Sequence, residues 1–178
     1  RNVIFANATV PPAEVSAKDN RTPEALWRWL RDKCTEAPGD CDVLTIPHNS
    51  NWSGGRMWFP YTNRAEMSDP QRRGLAALRQ RMEPLVEIMQ VKGDSECRNG
   101  LPSVHGVPDE FCDFEKLRSP SEKVEDCGES EGSGNMRLLG CLSRYSYARY
   151  ALSAGLAEQR AYGVNPFKLG ILAATDNH

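Results

Sequence analysis

The apolar positions of this chain fall into short blocks, each of which stops at a polar group. Asn2-Val3-Ile4-Phe5-Ala6, Val43-Leu44-Thr45-Ile46, Leu85-Val86-Glu87-Ile88-Met89-Gln90 and the closing run Gly170-Ile171-Leu172-Ala173-Ala174 read as strands. Runs without polar alternation suit strands covered on both faces, as in parallel sheets. Between them, apolar residues recur at helical spacing. Leu26, Trp27, Trp29 and Leu30 mark a helix from Pro23 to about Lys33, with Thr22 as its cap and Pro23 in its first turn. Ser68-Asp69-Pro70 opens a second helix, with Leu75, Leu78 and Met82 facing inward and Pro84 beyond its end. Arg72, Arg73, Arg79 and Arg81 read as its solvated face. Leu138, Leu142, Tyr145, Ala148, Leu152 and Leu156 predict a third helix from Arg137 to Gln159. The first strand, first helix and second strand form a β-α-β unit, so the fold class expected is α/β with a parallel sheet.

A length of 178 residues allows one domain with a sizeable core. The net charge of -2 leaves no basic field to hold nucleic acid or an anionic membrane, and no apolar run is long enough to insert into a bilayer. The cysteines change the picture more. No two are spaced Cys-x-x-Cys, so disulfides fit them better than a structural zinc site. Cys34 and Cys41 flank a Pro-Gly turn and would close a short loop, whereas Cys97, Cys112, Cys127 and Cys141 leave three pairings open. Bonded cysteines imply an oxidising compartment, periplasmic or secreted. Residues 98–135, with Pro102, Pro108, Pro120 and the polar run from Glu129 to Asn135, read as an irregular, disulfide-tied insertion over the site.

The candidate chemistry lies where the strands stop. The second strand is followed by Pro47-His48, and the last by Thr175-Asp176-Asn177-His178. Sheets of this kind place their sites at strand C-terminal ends. In an extended Asp-x-His both side chains share a face, so Asp176 and His178 can enter one metal cluster, with His48 as a further ligand. Glu87 interrupts an apolar run, and a buried carboxylate must be paired, hydrogen-bonded or near a metal. Lys92 can neutralise an anionic substrate, while Asp94 or Glu96 can orient ligands or carry protons. Asn49 and Asn51 adjoin His48, and with Arg56 they offer a substrate-facing loop. Trp52 and Trp58 in that loop serve equally as substrate wall or as packing beneath it. His105, beside Gly106, reads as a surface loop residue.

Three segments together carry a resemblance: Ile46-Pro47-His48-Asn49-Ser50-Asn51, Glu87 with Lys92-Gly93-Asp94-Ser95-Glu96-Cys97, and Asn165-Pro166-Phe167 through Asp176-Asn177-His178. Over its whole length the chain resembles a bacterial family marked as a domain of unknown function within the polymerase and histidinol phosphatase (PHP) superfamily. That resemblance implies a distorted (β/α)7 barrel with two or three metal ions at its C-terminal rim. His48 looks like a late histidine ligand, Asp176 with His178 looks like the closing Asp-x-His, and Glu87 matches a strand glutamate. The superfamily's opening His-x-His and early bridging glutamate have no counterpart here. The expectation is therefore that residues 1–178 form the C-terminal portion of a single metallohydrolase domain, with the upstream part of the same protein as its partner.

The function expected is metal-dependent hydrolysis of a small-molecule ester, foremost a phosphate ester, with two or three Zn, Mn or Fe ions activating water. Glu87, Lys92 and Asp94 would assist catalysis, and Asn49, Asn51 and Arg56 would bind substrate. A carbamate or aryl ester is the alternative substrate. A non-catalytic secreted binding module is the alternative from another class.

Overall fold

Strands β1 (Asn2–Phe5) and β2 (Val43–Ile46) pair antiparallel, Val3 opposite Thr45 and Phe5 opposite Val43. The computed structural model describes residues 1–16, 18–19, 21–101, 110–132 and 139–175. Helix α1 (Pro23–Leu30) lies between these strands, capped by Thr22 Oγ1, which accepts from Ala25 N at 3.2 Å. It continues into a π-helical turn over Arg31–Thr35, and the Cys34–Cys41 disulfide closes the loop that returns to β2. The expected parallel β-α-β unit is not formed. Ala6 N donates to Asp42 O at 2.9 Å, so the excursion leaves and re-enters the sheet at one end. It is a long hairpin with a helix in its loop, not a crossover.

Helix α2 (Asp69–Met82) starts at a capping box in which Ser68 N donates to Gln71 Oε1 at 2.8 Å. It leads into β3 (Leu85–Glu87), which pairs parallel with β4 (Gly170–Leu172), Leu85 opposite Gly170 and Glu87 opposite Leu172. Helix α3 (Ala148–Tyr162) precedes β4 and ends at Gly163, whose left-handed φ of 84° allows its N–H to reach Gln159 O. The helix begins at Ala148, not Arg137. Leu142 is drawn into an isolated bridge with Asp126, its N–H bonded to Glu125 O and its carbonyl to Cys127 N. Those groups are then lost to a helical ladder.

The (β/α)7 barrel is therefore corrected. Among the described residues there are two separate two-stranded sheets, and no closed barrel. The strands are only three or four residues long, and β1 occupies an edge of β2 in the antiparallel sense. Strands β2 and β3 lie side by side without ladder bonds between them.

Two apolar cores meet at α2. One joins Trp27, Leu30, Val43 and Met82; the other joins Trp58, Val86, Tyr145, Ala151 and Phe167, with Trp58 and Phe167 edge to face at 5.7 Å. Arg79 stands between them rather than in solvent. Its Nη2 donates to Met57 O at 2.7 Å, and its guanidinium lies 4.6 Å from the Phe167 ring and 4.9 Å from that of Trp58. The described part of the insertion is irregular apart from a 3-10 turn at Glu110–Asp113 and the bridge at Asp126, and Cys97–Cys112 and Cys127–Cys141 tie it down. Three disulfides suggest an extracellular or periplasmic protein. No helix among the described residues is long and apolar enough to cross a membrane.

Candidate functional site

β2 and β3 deliver one group each to the same rim. His48 follows β2 by two residues and Glu87 closes β3; His48 Nδ1 lies 3.1 Å from Glu87 Oε2. Glu87 is 7 % exposed, and its Oε1 has no hydrogen-bond partner among the described residues. A buried carboxylate oxygen in that state is poised to accept a cation or a donor.

The loops behind these residues are stitched together. Asn49 adopts a left-handed backbone with φ 53°, which turns the chain off β2 into a 3-10 turn at Ser50–Trp52. Asn51 N donates to Ser95 Oγ at 3.1 Å and Asn51 Nδ2 to Lys92 O at 3.0 Å. Ser95 N in turn donates to Ile88 O at 2.7 Å, so the loop after β3 folds back against its own strand. Asn49 Oδ1 and Asn51 Oδ1 are buried and, like Glu87 Oε1, without a partner among the described residues. An imidazole beside a buried, uncommitted carboxylate oxygen is a pair of donors that suits a divalent transition cation. The fit is partial: among the described residues, no group of three His, Cys, Asp or Glu is assembled.

Asp176 and His178 lie outside the described residues, as does His105. The stretch leading to the first two is bonded to the rim. Ile88 N donates to Leu172 O at 3.0 Å, Ala174 N to Met89 O at 3.1 Å, and Val91 N to Thr175 O at 2.8 Å. The continuation of β4 thus runs beside residues 88–91 of the rim that carries Glu87.

Other expected residues have different surroundings. Asp94 is buried, its Oδ1 accepting from Glu96 N at 2.7 Å and its Oδ2 engaged by Lys116 Nζ, which also reaches Cys97 O. Burial first, and then the Arg149 guanidinium, push the Lys116 ammonium down to about 8. Lys92 N donates to Gln90 Oε1 at 2.7 Å. Arg56 is exposed and pairs with Glu131 at 3.2 Å. Trp58 is a core residue.

Two residues escaped the sequence reading. Lys116 lies in an aperiodic stretch that gives no signal. Gln90, buried at the end of an apolar run, had the same signature as His48: a polar group where a strand stops. Lys116 also fixes the insertion to the rim. Asp94 N donates to Glu115 O at 3.0 Å, and a Cβ on Gly93 would stand 2.9 Å from that oxygen, so only glycine permits this approach.

A family model described as "Protein of unknown function (DUF3604)" matches residues 1–178. No curated protein and no solved structure matches the chain.

Proposed function

The chain belongs to the DUF3604 family, and we propose that it is a metal-dependent hydrolase, foremost a phosphoesterase, whose chemistry sits at the ends of β2, β3 and β4. The observation that carries this reading is the 3.1 Å approach of His48 Nδ1 to Glu87 Oε2, with Glu87 Oε1 buried and uncommitted among the described residues. A carboxylate that accepts a hydrogen bond from one imidazole N–H fixes the tautomer in which the other nitrogen is a lone-pair donor. His48 Nε2 is then a ligand, and Asp176 and His178, which follow Thr175 in the sequence, are its companions. Kinship with the PHP superfamily, at the level of this ligand set alone, is part of the same proposal.

Two or three Zn, Mn or Fe ions bound there would lower the pKa of a water molecule and stabilise the negative charge that develops on the ester. The chain's own groups do the rest. Glu87 orients His48. Lys92 balances the charge of the substrate, and the Asn49 and Asn51 amides hold its oxygens at the rim. Asp94, clamped by Lys116, keeps the wall of the site in place.

Elemental analysis of the purified protein beside a His48→Ala, Asp176→Ala double variant tests the reading. Two or three equivalents of transition metal per chain, largely lost in the variant, are expected, and turnover of phosphate or carbamate esters should fall with them. A folded parent that holds no metal and takes up none when it is added would overturn the reading in favour of a binding module.

A further inference from the structure

A cavity of about 720 Å³ opens just beyond the ends of β3 and β4. Its volume falls within the range of about 300–1,000 Å³ in which proteins enclose small molecules. Met89 and Val91 line one side, Ala173 and Ala174 a second, and Leu117, from the insertion, a third. Val91 and Leu117 are 58 % and 42 % exposed, so the cavity has apolar side chains open to solvent as well as apolar walls.

The walls are fixed in place. The bonds Ala174 N to Met89 O and Val91 N to Thr175 O lock the first two together. The third is held by Glu115, whose left-handed φ of 44° is strained for a non-glycine residue and whose carbonyl accepts from Asp94 N. A pocket that fell between elements by chance would not need that strain.

One polar side chain among the lining residues is incomplete. Gln90 is 3 % exposed, its Oε1 is taken by Lys92 N at 2.7 Å, and its Nε2 has no partner among the described residues. Because the oxygen is committed, the amide cannot flip to use it elsewhere, and the amino group is left as a donor without an acceptor. Glu87, three residues earlier at the end of β3, is the partner of His48.

We propose that this cavity seats the apolar group of the substrate, an aryl or branched alkyl group, and that Gln90 Nε2 donates to an oxygen of the ester beside it. The inference rests on the hydrolase reading above and names its substrate class: a phosphate monoester with a bulky apolar group rather than a compact or sugar-like one. Substrate selection lies in the cavity, whose lining residues 89–91 follow Glu87 along the chain.

Phenylphosphonate and methylphosphonate, which share an anionic head and cannot be hydrolysed as esters, are the probes. Calorimetry should give a Kd at least about tenfold lower for the phenyl compound. Ala174→Trp, which fills the cavity while keeping the backbone bond to Met89, should erase that preference and bring the phenyl compound to the affinity of methylphosphonate. Gln90→Glu keeps the acceptor for Lys92 N but removes the donor, and should weaken both probes about tenfold with an unaltered circular dichroism spectrum. Equal affinities, no binding of either probe, or a phenyl preference that survives Ala174→Trp would overturn the inference. Metal analysis of the same samples separates it from the hydrolase reading. Metal retained without a phenyl preference sinks the cavity alone, whereas a phenyl preference in protein that takes up no metal sinks the hydrolase and leaves a site for aryl anions.

Discussion

Arg79 and Glu83 meet at 3.1 Å at the end of α2, with 3 % and 0 % of their side chains exposed. Glu83 is also reached by Arg1 Nε at 2.5 Å, and the Arg79 guanidinium lies against Trp27, Trp58 and Phe167. The pair therefore joins the two apolar cores and holds a charge that neither could tolerate alone. Breaking a buried pair by removing one partner costs about 3–5 kcal/mol, because the other charge stays behind. Because Arg1 still reaches Glu83, Arg79→Met should lower the urea unfolding free energy by less than that, about 1–3 kcal/mol. Arg81→Ala, which removes only an exposed contact to Asp42, should change it by less than about 1 kcal/mol.

The burial of Arg79 shows what was legible in the sequence and what was not. Leu75, Arg79 and Met82 follow one another at intervals of four and three, so position 79 lies on the inward stripe of α2, and residue type hid what the spacing said. α1, α2 and the four strands were legible because each has its own cap, periodicity or apolar run. Their assembly was not. The antiparallel sense of β1 and β2 depends on where the 7–42 excursion re-enters the sheet, which is a long-range relation. The start of α3 was misplaced because the bridge between Leu142 and Asp126 overrides a good helical pattern. At the candidate site, His48 and Glu87 were found from the same rule, a polar group set at an apolar strand. Their contact could be seen only once β2 and β3 lay side by side.

The insertion is held by Cys97–Cys112, which closes a loop with a sequence separation of 15. Chain-entropy arguments give about 3 kcal/mol for such a loop. Replacing both cysteines with serine should lower stability by that order and free the wall made by Glu115 and Leu117. Hydrogen exchange is the specific check. The Asp94 amide, bonded to Glu115 O, should lose protection, while the Val86 amide in β3 keeps its own.

Alkaline pH should act through Tyr145. Its hydroxyl donates to Glu129 and accepts from Asn63 Nδ2 at 3.2 Å, and burial followed by the Glu129 carboxylate pushes the phenol up to about 12. Between about pH 10, where an unfolded tyrosine ionises, and about 12, the folded state holds a proton that the unfolded state has lost. Stability contributed by this group is thus complete below about pH 10 and declines as pH rises through that window. Burial raises Tyr61 and Tyr147 in the same direction, so the whole fold should weaken there. Tyr145→Phe should flatten part of the fall in Tm with pH and leave the remainder.

Glu87 can be tested apart from His48. Glu87→Gln keeps a side-chain oxygen for the His48 Nδ1 proton, whereas Glu87→Leu removes it. If orientation is the role of Glu87, metal affinity should fall little with glutamine and by about 10–100-fold with leucine, as for other partners of metal-bound histidines. A large and equal loss in both variants would make Glu87 a direct ligand. No loss in either would mean that metal, if bound, lies away from this rim.

Two glycines in helices should respond with opposite sign to the same substitution. Gly74 in α2 is exposed, and an added Cβ would meet nothing within 4 Å, so Gly74→Ala should stabilise the protein by about 1 kcal/mol through helix propensity alone. Gly155 in α3 has no such room. Its Cβ would stand 2.1 Å from Asn165 Oδ1, 2.9 Å from Asn165 Cγ and 3.0 Å from Phe167 Cβ. Asn165 cannot simply turn aside, because its Oδ1 accepts from Phe167 N at 2.8 Å and Phe167 packs on Trp58 in the core that supports β3. Overpacking of this kind costs about 1–3 kcal/mol, which meets or exceeds the propensity gain. Gly155→Ala should therefore lower Tm while Gly74→Ala raises it, and thermal melts of the two variants beside the parent decide the matter. A rise in both would mean that the segment from Asn165 to Phe167 yields freely, and that α3 is not what holds β4 beside β3.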